Sequence, residues 1–230
     1  MLSIKNSRDG FTLIELLVAI GIAMIVMSAI YQSYRSQQRS YILQEQIAAM
    51  QQNLRASLFY MTREIRMAGC DPTFQANAKI EEAKDDLIRF TRDVRGASYG
   101  STFDGDTDDD GEHITYSLYT ADGIQKLGRK STSTATNQPV AEYMYALDFV
   151  YLDENSAPLD DDGNGNVTTN ISKIKSIEIT IVARTKRKDQ GYTSSATTFK
   201  NQRDKSIYTT NPDDGYRYKM LTTTVRLRNL

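Results

Sequence analysis

A glutamate, Glu15, lies inside twenty almost wholly apolar residues, FTLIELLVAIGIAMIVMSAI, at positions 11–30. A carboxylate carried into hydrocarbon costs several kcal/mol unless it is paired, so such a residue is a functional candidate by default. The bland alternative is an anchor whose Glu15 snorkels to the interface. Two loops also crowd oxygen ligands. DGDTDDDGE at 104–112 sets Asp106, Asp108 and Asp110 at alternate positions before Gly111, and DDDGNG at 160–165 offers Asp160, Asp162 and Asn164 before Gly165. Three oxygen ligands followed by a glycine for the sharp turn make the first half of an EF-hand-type calcium loop. Neither loop closes with the bidentate Glu; the twelfth positions are Ser117 and Ile171. Six carboxylates stand in nine residues of the first loop, with no Lys or Arg between Arg95 and Lys126. A divalent cation would relieve that repulsion. Calcium suits an irregular cage better than magnesium, and a solvated acidic turn needs no metal at all.

Other chemistry is scarce. Gly96, Ser98 and Gly100 match G-x-S-x-G, but that elbow needs an acid and a histidine downstream, and the single histidine, His113, follows an acidic loop. His113 reads as the start of a strand, and one histidine excludes any site needing two. No catalytic constellation is present, so an enzyme is not expected. Cys70 is the one cysteine; no intrachain disulfide can form, and it reads as a small buried hydrophobe. A net charge of −1 gives no global case for nucleic-acid binding.

The elements that position these groups follow from periodicity. Residues 1–10 are a short polar leader with Lys5 and Arg8. The twenty residues after it span about 30 Å as a helix, the thickness of a bilayer core. Gly10 precedes the apolar run, so cleavage there would leave the run on the mature chain. Cations flank the run on both sides, Arg35 and Arg39 following it, so they do not settle orientation. The helical pattern then continues: Leu43, Ile47, Met50, Leu54, Leu58, Met61, Ile65 and Ala68 recur at steps of three and four. No Pro or Gly interrupts 23–68, and Gly69 and Pro72 supply a stop. The spacing predicts one helix over 11–68, roughly 87 Å long. A coiled coil is the alternative; a stripe covering a downstream sheet explains the pattern better.

After Pro72 the period changes to two. Strands are expected at 87–91, 114–119, 124–127, 147–152, 174–183 and 221–227, with a short helical turn at 140–146. Strands after one long helix indicate an α+β domain, an antiparallel sheet packed on the helical stripe. Residues 185–220 read as a long polar connection, suited to contact with neighbours or to a solvated hairpin. Arg184, Lys186, Arg187 and Lys188 form a basic cluster with no aromatic residue interleaved, so nucleic acid is not an expected partner.

Gly10, Phe11, Thr12, Leu13, Ile14 and Glu15 resemble the class III signal of type IV prepilins and pseudopilins. The resemblance implies cleavage between Gly10 and Phe11 by a prepilin peptidase on the cytoplasmic face, and N-methylation of the new Phe11 amine. Glu15 would then pair with the Phe11 ammonium of a neighbouring subunit. Asp9 departs from the pattern, where a basic or neutral residue is commoner. Residues 36–69, and the stretches 146–153, 177–184 and 221–229, look like minor pilins of the PilW type, about half the chain. A type IV pilin-like fold is implied, divided as leader 1–10, membrane and filament-core helix 11–31, amphipathic continuation 32–70 and β-sheet head 71–230. So are inner-membrane residence with a cytoplasmic N-terminus, then incorporation into an extracellular pilus within a priming or tip complex. The implied partners are the peptidase, other major and minor pilins, inner-membrane lipid and a tip adhesin. No cofactor is required, calcium apart. A J-type pseudopilin of type II secretion, and a surface- or DNA-binding pilus module, are the competing readings.

Overall fold

The computed structural model describes residues 10–94, 103–132 and 135–230. The leader up to Asp9 and the Gly96–Ser98–Gly100 motif lie outside the described residues. One helix, α1, runs over Leu13–Ile65, and the chain divides into two compact units, one ending at Glu45 and one beginning at Gln46.

In the first unit the helix forms because 13–45 holds no proline and a single glycine, Gly21. Its apolar residues carry no polar competitors for the backbone. An 18-residue window has mean hydropathy 2.6, long and apolar enough to cross a membrane. Every described residue up to Ile42 is exposed within the chain.

In the second unit the stripe behaves differently. Met50, Leu54, Leu58, Met61 and Ile65 are buried, and Ile47 packs beside them. Truncating Leu54, which has no exposed surface, to alanine would leave a cavity and cost about 2–5 kcal/mol. The helix closes through Met67 N–H to Glu64 O and Ala68 N–H to Ile65 O, then turns on Gly69 at φ +75°. A side chain at Gly69 would also run into Leu230, so both the backbone angle and the close approach select glycine.

Three sheets follow instead of one. The first is a five-stranded antiparallel meander of β1 (Ile80–Ala83), β2 (Leu87–Thr91), β3 (His113–Ala121), β4 (Ile124–Lys130) and β5 (Gln138–Glu142), in that order. The second holds β6 (Met144–Leu152), β7 (Pro158–Leu159), β8 (Ser176–Arg184) and β11 (Tyr218–Arg226) in the order β11-β8-β6-β7. The third is a hairpin of β9 (Thr198–Lys200) and β10 (Ser206–Thr209). Phe90, Tyr116, Leu127, Met144, Phe149, Ile181 and Val225 from the two larger sheets share one hydrophobic cluster with the α1 stripe.

The helical turn expected at 140–146 is strand instead. β5 pairs with β4, and Tyr143 at φ +62° breaks the chain before β6. Tertiary pairing overrides a locally ambiguous seven-residue pattern. The connection 185–220 carries the β9–β10 hairpin, whose turn is fastened by buried Asn201 donating to Asp148 Oδ2 at 2.9 Å. Cys70 is half-buried rather than fully buried; burial, then the nearby Asp93 charge, push its thiol pKa up. His113 begins β3, its Nε2 2.7 Å from Glu81 Oε2.

Candidate functional site

Residues 10–12 precede the first helical turn in irregular backbone. Gly10 and Phe11 are both exposed, Phe11 to 92%, and nothing within 4 Å would meet a side chain at position 10. Among the described residues, nothing covers the Gly10–Phe11 bond. Immediately after it, Thr12 and Glu15 form a capping box. Thr12 N–H and its hydroxyl each donate to Glu15 Oε2 at 2.8 Å, while Glu15 N–H donates to Thr12 Oγ1 at 3.3 Å. Thr-x-x-Glu before an apolar run is a recognised helix-start signal; sequence reasoning treated Glu15 only as a charge needing a counter-charge. Both bonds that the carboxylate accepts fall on Oε2, and among the described residues Oε1 accepts none. The carboxylate thus starts its own helix and keeps one oxygen open to a cation.

The acidic loops are built differently from their spacing. Asp104, Asp109 and Glu112, not Asp106, Asp108 and Asp110, each bring a carboxylate oxygen within 4.8 Å of the others. Asp108 N–H donates to Asp106 Oδ1 at 3.2 Å. A hydrogen bond between the Asp108 and Asp106 side chains, then the negative charge of Asp106 and its neighbours, raise the Asp108 pKa. Gly111, at φ +93°, donates its N–H to Ser131 O, and buried Glu112 accepts from Val94 N–H at 2.7 Å. In the second loop Asp160 Oδ1 accepts from Asp162 and Gly163 N–H, and Asp162 Oδ1 from Asn164 and Asn166 N–H. Asn170 and Asn166 side chains, with backbone N–H groups, hold the Asp161 and Asp162 carboxyls well below the usual range. Lys205 Nζ reaches Asn164 O at 2.8 Å and Asp85 Oδ2 at 2.7 Å, so this loop has a cation of its own.

The pattern described as a prokaryotic N-terminal methylation motif matches residues 5–31, and the family model described as Type IV Pilus-assembly protein W matches residues 98–229. The chain belongs to the PilW family of type IV pilus-assembly proteins. No curated protein matches it. A solved type IV-like pilin from Thermus thermophilus is similar over 78% of this chain and 97% of that one, at 12% identity and a TM-score of 0.45.

In this PilW family member the head holds two polar assemblies that sequence reasoning missed. Glu64, between Met61 and Ile65 on the α1 stripe, is buried. Arg92 Nη2 donates to its Oε1 at 3.0 Å, Arg129 binds both its oxygens at 2.8 and 2.9 Å, and the Tyr116 hydroxyl donates to Oε2. A charge on an apolar stripe was the available signal, the same one that singled out Glu15. The second assembly is aromatic. The Arg184 guanidinium lies 4.2 Å from the Tyr145 ring and 3.7 Å from the Tyr216 ring. Lys188 lies 5.5 Å above Tyr216, and Arg217 stacks 3.4 Å over Tyr192 while pairing with Asp189 at 2.7 Å. The basic cluster at 184–188 is thus interleaved with aromatics after all. They come from elements distant in sequence, which local inspection does not find.

Proposed function

We propose that this chain is a minor pilin. It is cleaved between Gly10 and Phe11, methylated on the new Phe11 amine, and incorporated into a type IV pilus priming or tip complex through α1. The observation that carries this reading is a carboxylate inside an apolar helical stretch that is exposed as far as Ile42, directly after an exposed Gly10–Phe11 pair. An apolar surface that size demands lipid before assembly and other pilin helices after it. Between those helices the local dielectric is low, so Glu15 needs a positive partner. The trimmed Phe11 ammonium of a neighbouring subunit supplies one. The prepilin peptidase and a tip adhesin are the further partners this reading requires. The protein works by packing and docking, as a structural subunit.

Glu15→Ala separates processing from assembly. The variant should be cleaved normally but enter filaments poorly, as read by immunoblots of sheared pili against membranes. Normal incorporation would refute the pairing.

Calcium remains a proposal for both acidic loops. In the first, Asp104, Asp109 and Glu112 supply the convergent oxygens; in the second, Asp160 and Asn164 retain lone pairs beyond those their turns use, whereas the Asp162 carboxylate already accepts four bonds from Asn164 and Asn166 and would have to exchange some of them for the ion.

A further inference from the structure

Sheet edges in the head are not treated alike. β1 is four residues long, has a bulge between Ile80 and Glu82, and is bridged at Ala83 by Val167. β5 carries Pro139 and a register shift opposite Leu127 and Gly128, and β7 is two residues long and begins with Pro158. Short strands, bulges and prolines are the devices that stop an edge from pairing with another chain. β11 has none of them. It is a nine-residue edge strand in unbroken register with β8, from Tyr218 opposite Arg184 to Arg226 opposite Ser176.

The two bonds at the ends of that ladder fix its phase. Thr185 N–H donates to Arg217 O at 2.8 Å, and Leu227 N–H donates to Lys175 O at 2.9 Å. Odd-numbered residues of β11 therefore turn their N–H and C=O groups toward β8. Those of Met220, Thr222 and Thr224 turn away, and among the described residues they receive no hydrogen bond. Thr222, Thr223 and Thr224 are β-branched residues that suit an extended backbone. Charge marks the two ends: Lys219, Arg226 and Arg228 are exposed, form no ion pair among the described residues, and no acid occurs between Tyr216 and Leu230.

We propose that β11 is a docking edge for an extended acidic segment of another polypeptide, which adds to the β11-β8-β6-β7 sheet as a further strand. Main-chain bonds from Met220, Thr222 and Thr224 hold it. Acidic side chains meeting Lys219 at one end and Arg226 and Arg228 at the other choose and orient it. A strand is the occupant these groups fit, because the unfilled partners are alternating N–H and C=O groups.

The test uses the full chain in detergent micelles. The probe is a synthetic fluorescent peptide of alternating Thr and Val with Glu at both ends. Controls are the same peptide with Lys for Glu, and a single-stranded oligonucleotide. Thr224→Pro removes an outward N–H and no ladder bond, so melting should be unchanged. Binding of the Glu peptide should fall by about tenfold or more. Thr224→Val should bind like the parent, and the Lys peptide should bind poorly. Should Thr224→Pro fail to fold, hydrogen exchange on the parent reads the same docking through slowed Met220, Thr222 and Thr224 amides. The proposal is overturned if the Glu peptide does not bind, if the Pro variant binds it equally, if Lys and Glu peptides are equivalent, or if the oligonucleotide displaces the peptide without protecting those amides.

Discussion

Glu64 is held by two guanidinium groups and a phenol inside the head. Burial pushes its carboxyl up, but hydrogen bonds from Arg129 and Tyr116, and the charges of both arginines, outweigh it and hold the pKa below its ordinary 4.5. A depressed folded-state pKa gives stability that is complete above the ordinary value and lost as pH falls through the depressed one. Near neutrality Glu64→Gln leaves Arg92 and Arg129 short of a counter-charge and should cost about 3–5 kcal/mol. Below pH 4.5 the deficit should shrink, because the unfolded parent chain takes up a proton at Glu64 before the folded one does. Melting temperatures of both proteins across pH would check this; a deficit independent of pH would contradict it. Glu15 was legible because its apolar run is unbroken in sequence. Glu64 was not, because its partners lie 28, 52 and 65 positions away and no local pattern announces them.

Elements with a long, strong period were readable. The α1 stripe from Met50 to Ile65 is buried as its three- and four-residue steps required, and β2 coincides with the expected 87–91. β1, β7, β9 and β10 escaped because two to four residues are too few to display alternation, and β5 overlaps the stretch expected to form a helical turn. Loop chemistry was half legible. Residue types announced a crowd of carboxylates at 104–112, while the turn at Gly111 decided which of them converge. If calcium binds there, adding millimolar Ca²⁺ should raise the melting temperature relative to chelator. Asp104→Asn should shrink that rise. No shift with Ca²⁺ would remove the proposal.

At the scale of the whole molecule, one unit exposes apolar side chains along its helix and the other buries a core of its own. An exposed apolar stretch of that length marks a surface for lipid or for other helices. Membership of the PilW family rests on the match over 98–229, and the methylation motif covers the other end. In the proposed function, processing at Gly10–Phe11 is what joins them, since the amine that would neutralise Glu15 inside a filament exists only after the cut. Intact mass and N-terminal sequencing of the protein from producing cells address that directly. The account predicts a mature polypeptide starting at a methylated Phe11. A working, filament-borne protein that still carries residues 1–10 would contradict it.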